Sequence, residues 1–326
     1  MSDSRKIRMK DRIEYAAILS VAKFLQCMSV ETAASFCAFF WRLIAPHTRR
    51  QRRIIEHLRL AFPHLTDTEI NKLSRKIWDN LGRVMGETIH LQALQLRAWQ
   101  SDRDFDSVPH LVNADNKGIV IASGHIGPYE LIVMAGNLAG YKPTGIYQEL
   151  SNPLVDRFLA DLRAPMFPGG LLTKSHKTAR KVLGIVKAGG AAAFLADQRE
   201  FKGIEVSFFG KPAFSNPFPA LLARHCNVPF VGGRVIRRLE GRLTFAADEI
   251  DVPRTKDSAR DILVGTQNFH NLLESYIREY PEQWMWTHRK WAPPPENLKA
   301  KTGNDSKAKD IARSDAPPLS GVSAAT

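Results

Sequence analysis

Cysteine, acidic residues and long apolar runs are all scarce in this chain. Its 326 residues hold three cysteines, Cys27, Cys37 and Cys226, spaced neither as a disulfide framework nor as metal ligands. That usage fits a reducing, cytoplasm-facing environment. Asp+Glu number 33 against 46 Lys+Arg, a net charge of +13. Such a balance favours anionic partners: a bilayer surface, a phosphorylated lipid, an acidic carrier protein or nucleic acid. No stretch approaches the ~18 uninterrupted apolar residues of a spanning helix, and no small-residue cleavage site marks a secretory signal. A Gly-x-Ser-x-Gly elbow is missing, which argues against a serine-hydrolase route. No nucleic-acid-binding motif is present either, so nucleic acid is not the expected partner.

The most informative segment runs from Gly118 to Glu130, G-I-V-I-A-S-G-H-I-G-P-Y-E. Ile119 to Ala122 reads as a strand buried on both faces, because it is a continuous apolar run bounded by glycines. Gly124 and Gly127 break it, and Pro128 fits the first turn of a helix, where its missing N–H costs nothing. His125 then sits where a strand's carboxyl end meets a helix start, the usual ligand crevice of an open α/β sheet. Glu130, one turn on, is placed to fold back onto the imidazole. A base oriented by a carboxylate is what deprotonation of a hydroxyl nucleophile requires. The pair does not form H-E-x-x-H and no third ligand is spaced to complete a metal site, so neither metal nor redox cofactor is expected.

At the amino end Arg5, Lys6, Arg8, Lys10 and Arg12 precede two apolar stretches, 15–22 and 32–41. Basic residues flanking short apolar helices suggest a segment lying in the cytoplasmic leaflet; ordinary core helices with a solvated basic tail are the alternative. Residues 12–46 read as two helices parted near Ser29, and His47 to Arg53 as a basic connector. Helical pattern continues from Ile54 to about Arg97, broken at Pro63 and restarted by the capping box Thr66-Asp-Thr-Glu69. Strands are then expected at 118–123, 143–147, 191–196 and 229–235, with helices at 128–139, 153–163, 176–188, 217–226 and 258–279. This alternation predicts an α/β fold with a mostly parallel central sheet flanked by helices. The organisation that results is a membrane-associating helical segment over 1–46, a catalytic domain over 47–292 and a disordered tail over 293–326, where Pro, Lys, Asp, Ser and Ala replace apolar periodicity.

Around these residues the chain resembles the bacterial lipid A biosynthesis acyltransferases, the lauroyl/myristoyl transferases within the wider lysophospholipid acyltransferase group. His125 and Glu130 match the family's H-x-x-x-x-D/E motif. Upstream, Arg52 to Pro63 looks like the segment before the catalytic domain. Downstream, Asn152-Pro-Leu-Val-Asp156, Arg163, Leu195-Ala-Asp-Gln198, Phe208-Phe-Gly210, Pro281-Glu-Gln-Trp284 and His288-Arg-Lys-Trp291 follow in the family's order. The resemblance spans about Arg49 to Trp291. It implies acyl transfer from acyl-carrier protein (or acyl-CoA) to a hydroxyl of an anionic lipid A precursor at the cytoplasmic face of the inner membrane. His125 would be the general base, Glu130 would orient it, and Arg163 and Asp197 would bind substrate. One departure is Gln148, where the family usually carries an arginine able to hold phosphate bidentately. It leaves another acceptor open, such as a lysophospholipid, a glycolipid or an ornithine-type lipid; a non-catalytic basic binding protein is the remaining alternative.

Other residues carry two readings each. Asp197 ends a small apolar strand and could orient the acceptor, support His125, or merely cap a turn. Arg180, Lys181, Lys202, Lys211, Arg234, Arg237 and Arg238 would make a basic rim for a phosphorylated lipid, or be solvated charges. Phe208, Phe209, Phe214, Phe218 and Phe230 could line an acyl groove, though core packing is the commoner fate of aromatics. Trp284, Trp286 and Trp291, interleaved with His288, Arg289 and Lys290, would anchor at a bilayer interface.

Overall fold

The computed structural model describes residues 7–98, 102–104, 118–238 and 241–291; the 293–326 tail lies outside them. Five helices come first: α1 (Met9–Gln26), α2 (Val30–Ile44), α3 (Arg49–Ala61), α4 (Asp67–Thr88) and α5 (Leu91–Ala98). Ser29 caps α2 by accepting from Thr32 N–H, and Thr66 and Glu69 form the expected reciprocal box at α4. The connector expected over 47–53 is shorter than that, since Thr48 is already the N-cap residue of α3 and the arginines from Arg49 are helical. Straight-chain arginine is a good helix former, and a basic run does not stop a helix.

A seven-stranded sheet follows, built from β1 (Asp102–Asp104), β2 (Ile119–Ser123), β3 (Pro143–Tyr147), β4 (Gly170–Thr173), β5 (Ala191–Leu195), β8 (Phe230–Arg237) and β9 (Leu243–Glu249). Its order is β1-β9-β8-β2-β5-β3-β4. Every neighbouring pair is parallel except β8 with β9. Helices α6 (Val133–Leu138), α7 (Pro153–Arg163), α8 (His176–Lys187), α9 (Phe218–Cys226) and α10 (Ser258–Glu279) complete the alternation. The fold is therefore the mostly parallel α/β sheet that the sequence predicts. Side chains of β2 alternate between two cores: Val120 and Ala122 join Ala192 and Phe194 on one face, Ile119 and Ile121 join Ala191 and Ala193 on the other. Both faces are dry, which is why an alanine run with helical propensity serves as strand β5.

Five strands escape the sequence reading: β1, β4, β9 and the hairpin of β6 (Ile204–Phe208) with β7 (Lys211–Ser215). The hairpin turns on two residues, Phe209 at φ +52° and Gly210 at φ +68°. Positive φ at both central positions is the twist a two-residue hairpin needs. Phenylalanine is a poor occupant of that region, at a cost of roughly 1–2 kcal/mol. Here its ring is buried against Phe62, Trp286 and Trp291, and that burial offsets the backbone cost.

At the other side, α2 lies directly on α4. A Cβ at Gly82 would fall 2.5 Å from Ala38 Cα, and one at Gly86 2.7 Å from the Ala33 carbonyl oxygen. The apolar stretch 32–41 is thus divided. Ala33, Ala34, Cys37 and Ala38 face inward, while Phe36, Phe39 and Phe40 face out. No helix among the described residues is long and apolar enough to cross a membrane.

Candidate active site

Parallel register assembles the site. β2 and β5 pair from Ile119↔Ala191 through Ser123↔Leu195, so the two chains leave the sheet side by side. Two residues beyond each strand end stand His125 and Asp197. His125 Nδ1 lies 2.8 Å from Asp197 Oδ1, and the His125 backbone N–H donates to Oδ2 at 2.9 Å. The Trp284 indole N–H donates to the same Oδ2 at 3.0 Å.

Burial opposes a charged carboxylate, yet the charge and hydrogen bond of His125 outweigh it and hold Asp197 far below the usual carboxylate range. Burial likewise pulls the imidazole down, but Asp197 and, through space, Glu130 overcome it, so the His125 pKa is raised above its ordinary value. With the carboxylate on Nδ1, the neutral ring carries its proton there and presents Nε2 as the basic atom. Nε2 faces the Gln198 amide at 3.5 Å, which in turn contacts His288 at 3.3 Å. The Tyr129 ring packs edge-on against the imidazole at 4.6 Å between centroids.

His125 Nδ1 is hydrogen-bonded to Asp197, and the Glu130 carboxylate is engaged elsewhere. The expected helix opens instead as a 3-10 turn over Tyr129–Ile132. The Glu130 carboxylate is held by Arg163, the last residue of α7, whose Nε and terminal nitrogen donate to Oε1 at 2.7 and 2.6 Å. A guanidinium compensates a buried carboxylate better than a neutral imidazole, because it brings a full charge and a fork of donors. Burial alone would lower the Arg163 pKa; Glu130 and Tyr129 reverse that and raise it. The site thus holds two carboxylates with separate partners.

A carboxyl-terminal strap closes one side. Met285 N–H donates to the His125 carbonyl at 3.0 Å and Gly127 N–H to the Gln283 carbonyl at 2.8 Å. Gly127 needs φ +53° there, and a Cβ would meet the Val235 carbonyl oxygen at 2.4 Å. The strap is fixed from behind. Asn80 donates to the Gln283 carbonyl, and the Gln283 side chain pairs with the Arg237 backbone. Arg237 itself is buried on Glu87 and Asn80.

A family model described as bacterial lipid A biosynthesis acyltransferase matches residues 2–292. The chain belongs to this family. The lipid A biosynthesis lauroyltransferase of Escherichia coli (strain K12) is 25% identical over 264 residues, covering 77% of this chain and 81% of the relative.

Among the residues singled out in the sequence of this acyltransferase, the structure brings His125 and Asp197 into contact and joins Glu130 to Arg163. It corrects two other expectations. Trp284 and Trp286 are buried in an aromatic cluster with Phe208, Phe209 and Trp291, so they are not available to a bilayer interface. Phe208, Phe209 and Phe230 are core side chains, the commoner fate of aromatics that the sequence reading favoured. Arg234 and Arg237 belong to ion pairs with Glu279 and Glu87 rather than to an open rim. Sequence reasoning missed Gln198 as a neighbour of Nε2, and read Lys290 as part of an interfacial segment whereas it is buried. That lysine is buried on Ser215 and His270 at 3.0 Å each, and burial pushes its pKa down to about 7.

Proposed function

We propose that this acyltransferase moves a fatty acyl group from an acyl thioester, carried by acyl-carrier protein, to a hydroxyl of a lipid A precursor. His125 Nε2 takes the hydroxyl proton as the oxygen attacks the thioester carbonyl. The new C–O bond forms, the C–S bond breaks, and the proton passes from the imidazolium to the departing sulfur. No acyl-enzyme forms. Asp197, rather than Glu130, holds the tautomer and stabilises the imidazolium, as the carboxylate of a hydrolase triad does for its histidine. The Glu130–Arg163 pair presents the guanidinium beside the reacting centre, where it meets developing negative charge or the acceptor. The observation carrying this reading is the dyad itself: Nδ1 is occupied by a buried carboxylate, and Nε2 is left facing Gln198 and His288.

We further propose attachment to the cytoplasmic face of the inner membrane. α1 and α2 expose Met9, Ile13, Phe24, Phe39, Leu43 and Ile44, each by more than half. Lys10, Arg12, Lys23 and Arg42 flank them. An apolar face edged with cations suits an anionic leaflet.

The deciding experiment incubates purified full-length protein with acyl-carrier thioester and a lipid A precursor, with lysophospholipid as a parallel acceptor, and weighs the products by mass spectrometry. One added acyl group on the lipid A precursor is expected, and none with His125→Ala. Near-normal turnover by His125→Ala would sink the mechanism; transfer to lysophospholipid alone would replace the acceptor.

A further inference from the structure

Proton positions around His125 decide which way the neighbouring amide is turned. The ring proton sits on Nδ1, toward Asp197, so Nε2 offers a lone pair and the group facing it has to be a donor. Gln198 is that group. It therefore presents its amide nitrogen, not its oxygen, 3.5 Å from His125 Nε2 and 3.3 Å from His288 Nε2. Burial lowers the His288 pKa, and His125, Arg50 and Arg53 add to it against the pull of Asp197. This second ring is thus neutral and accepts from the amide with its own proton on Nδ1. The two N–H bonds of one amide span two imidazoles whose centroids lie 5.1 Å apart. Both contacts exceed the usual span of about 2.7–3.2 Å, so neither is strong, and the glutamine is exposed.

Other donors on this turn are engaged. Backbone N–H groups commonly form oxyanion holes. Here His125 N–H is held by Asp197, Ile126 by the Gly124 carbonyl, Gly127 by Gln283 and Tyr129 by Gly127, while Pro128 has no N–H. The Trp284 indole N–H is on Asp197 as well. We propose that the Gln198 amide is a further catalytic residue, the donor to the thioester oxygen as it becomes negative, and that His288 is the positioning residue that aims it. The acceptor hydroxyl takes its place on Nε2 by displacing the weak Gln198 contact, which leaves that N–H directed at the reacting centre. The hydroxyl oxygen then attacks the carbonyl carbon and its proton passes to Nε2. The carbonyl electron pair moves onto oxygen, where the amide N–H meets it. As the C=O bond re-forms, the C–S bond breaks and the imidazolium proton goes to sulfur. The 3.5 Å separation suits this sequence: attacking and carbonyl oxygens share one carbon, so their two partners have to be neighbours. A neutral donor also stabilises the oxyanion without depressing the His125 pKa as a cation would.

This inference rests on the acyl-transfer reading, and its test separates the two. Purified full-length protein is assayed with acyl-carrier thioester and lipid A precursor, then with the dithioester analogue, whose carbonyl sulfur is a weak hydrogen-bond acceptor. Gln198→Leu removes the donor from an exposed position and should melt with the wild type. On the thioester its kcat should fall by about 10²–10³-fold with little change in either KM, and on the dithioester by less than about tenfold. The acid limb of kcat/KM should stay close to the wild-type pH, since His125 keeps Asp197. His288→Ala should show a smaller loss with the same dependence on the carbonyl atom. Near-normal kcat in Gln198→Leu, an equal loss on both donors, or a shifted acid limb would each overturn the oxyanion role while leaving acyl transfer standing. Failure of the wild type to transfer acyl groups, or retained transfer by His125→Ala, would defeat the acyl-transfer reading and the oxyanion role with it.

Discussion

Asp197 stands opposite His125 because each lies two residues beyond paired strand ends, so their meeting is a matter of sheet order. Removing its charge should act on the pH dependence as well as on rate. In the wild type the raised His125 pKa puts the acid limb of kcat/KM above the ordinary histidine value, and activity is lost as pH falls through it. In Asp197→Asn the largest raising interaction disappears, leaving Glu130 alone against the burial that lowers the imidazole pKa. The limb should then move to lower pH while kcat/KM falls by about 10²–10⁴-fold. A pH–rate profile of both proteins checks this; an unmoved limb would mean that Asp197 does not govern the base. The H-x-x-x-x-E spacing made His125 and Glu130 legible as a pair of interest. Their separation into two pairs was not, because it depends on β2 neighbouring β5 across 72 residues and on α7 bringing Arg163 to Glu130.

Elements were read well wherever their own chemistry marks their ends. The α7 range Pro153–Arg163 was legible from Asn152 and Pro153, and Asn152 Oδ1 indeed accepts from the backbone N–H of Leu154. The β6–β7 hairpin was not, since its turn uses Phe209 where glycine or asparagine would have announced it. The packing of α2 onto α4 also left only a faint trace, two glycines in a helix that pattern alone would treat as weak points. Their role predicts a sign. An exposed helical Gly→Ala gains up to ~1 kcal/mol, but at Gly82 the added Cβ meets Ala38 and Cys37 backbone atoms within 2.8 Å. Overpacking of that kind costs roughly 1–3 kcal/mol, so Gly82→Ala should lower Tm. A rise in Tm would show that α2 is only loosely held.

For the molecule as a whole, the proposed attachment assigns one role to the excess of cations and the apolar face of α1 and α2. Because one side of α2 is core, removing the first 46 residues would strip α4, and point changes on the outer side are the cleaner test. Phe24→Glu with Phe39→Glu should weaken binding to phosphatidylglycerol-containing vesicles by well over tenfold, since each buried Phe contributes roughly 1.5–3 kcal/mol. Thermal stability should stay near wild type. Unchanged vesicle sedimentation would move the attachment surface elsewhere.

The strap over His125 has a temporal meaning. His125 leaves the ribosome long before Trp284, the residue whose indole donates to the Asp197 carboxylate; 158 residues lie between them. At roughly 5–20 residues per second that interval lasts about ten to thirty seconds. Throughout it the helices of the first 46 residues are already made and free to find a bilayer. Synthesis order therefore completes the dyad late, and on the proposed attachment α1 and α2 meet the bilayer before Asp197 has its indole donor.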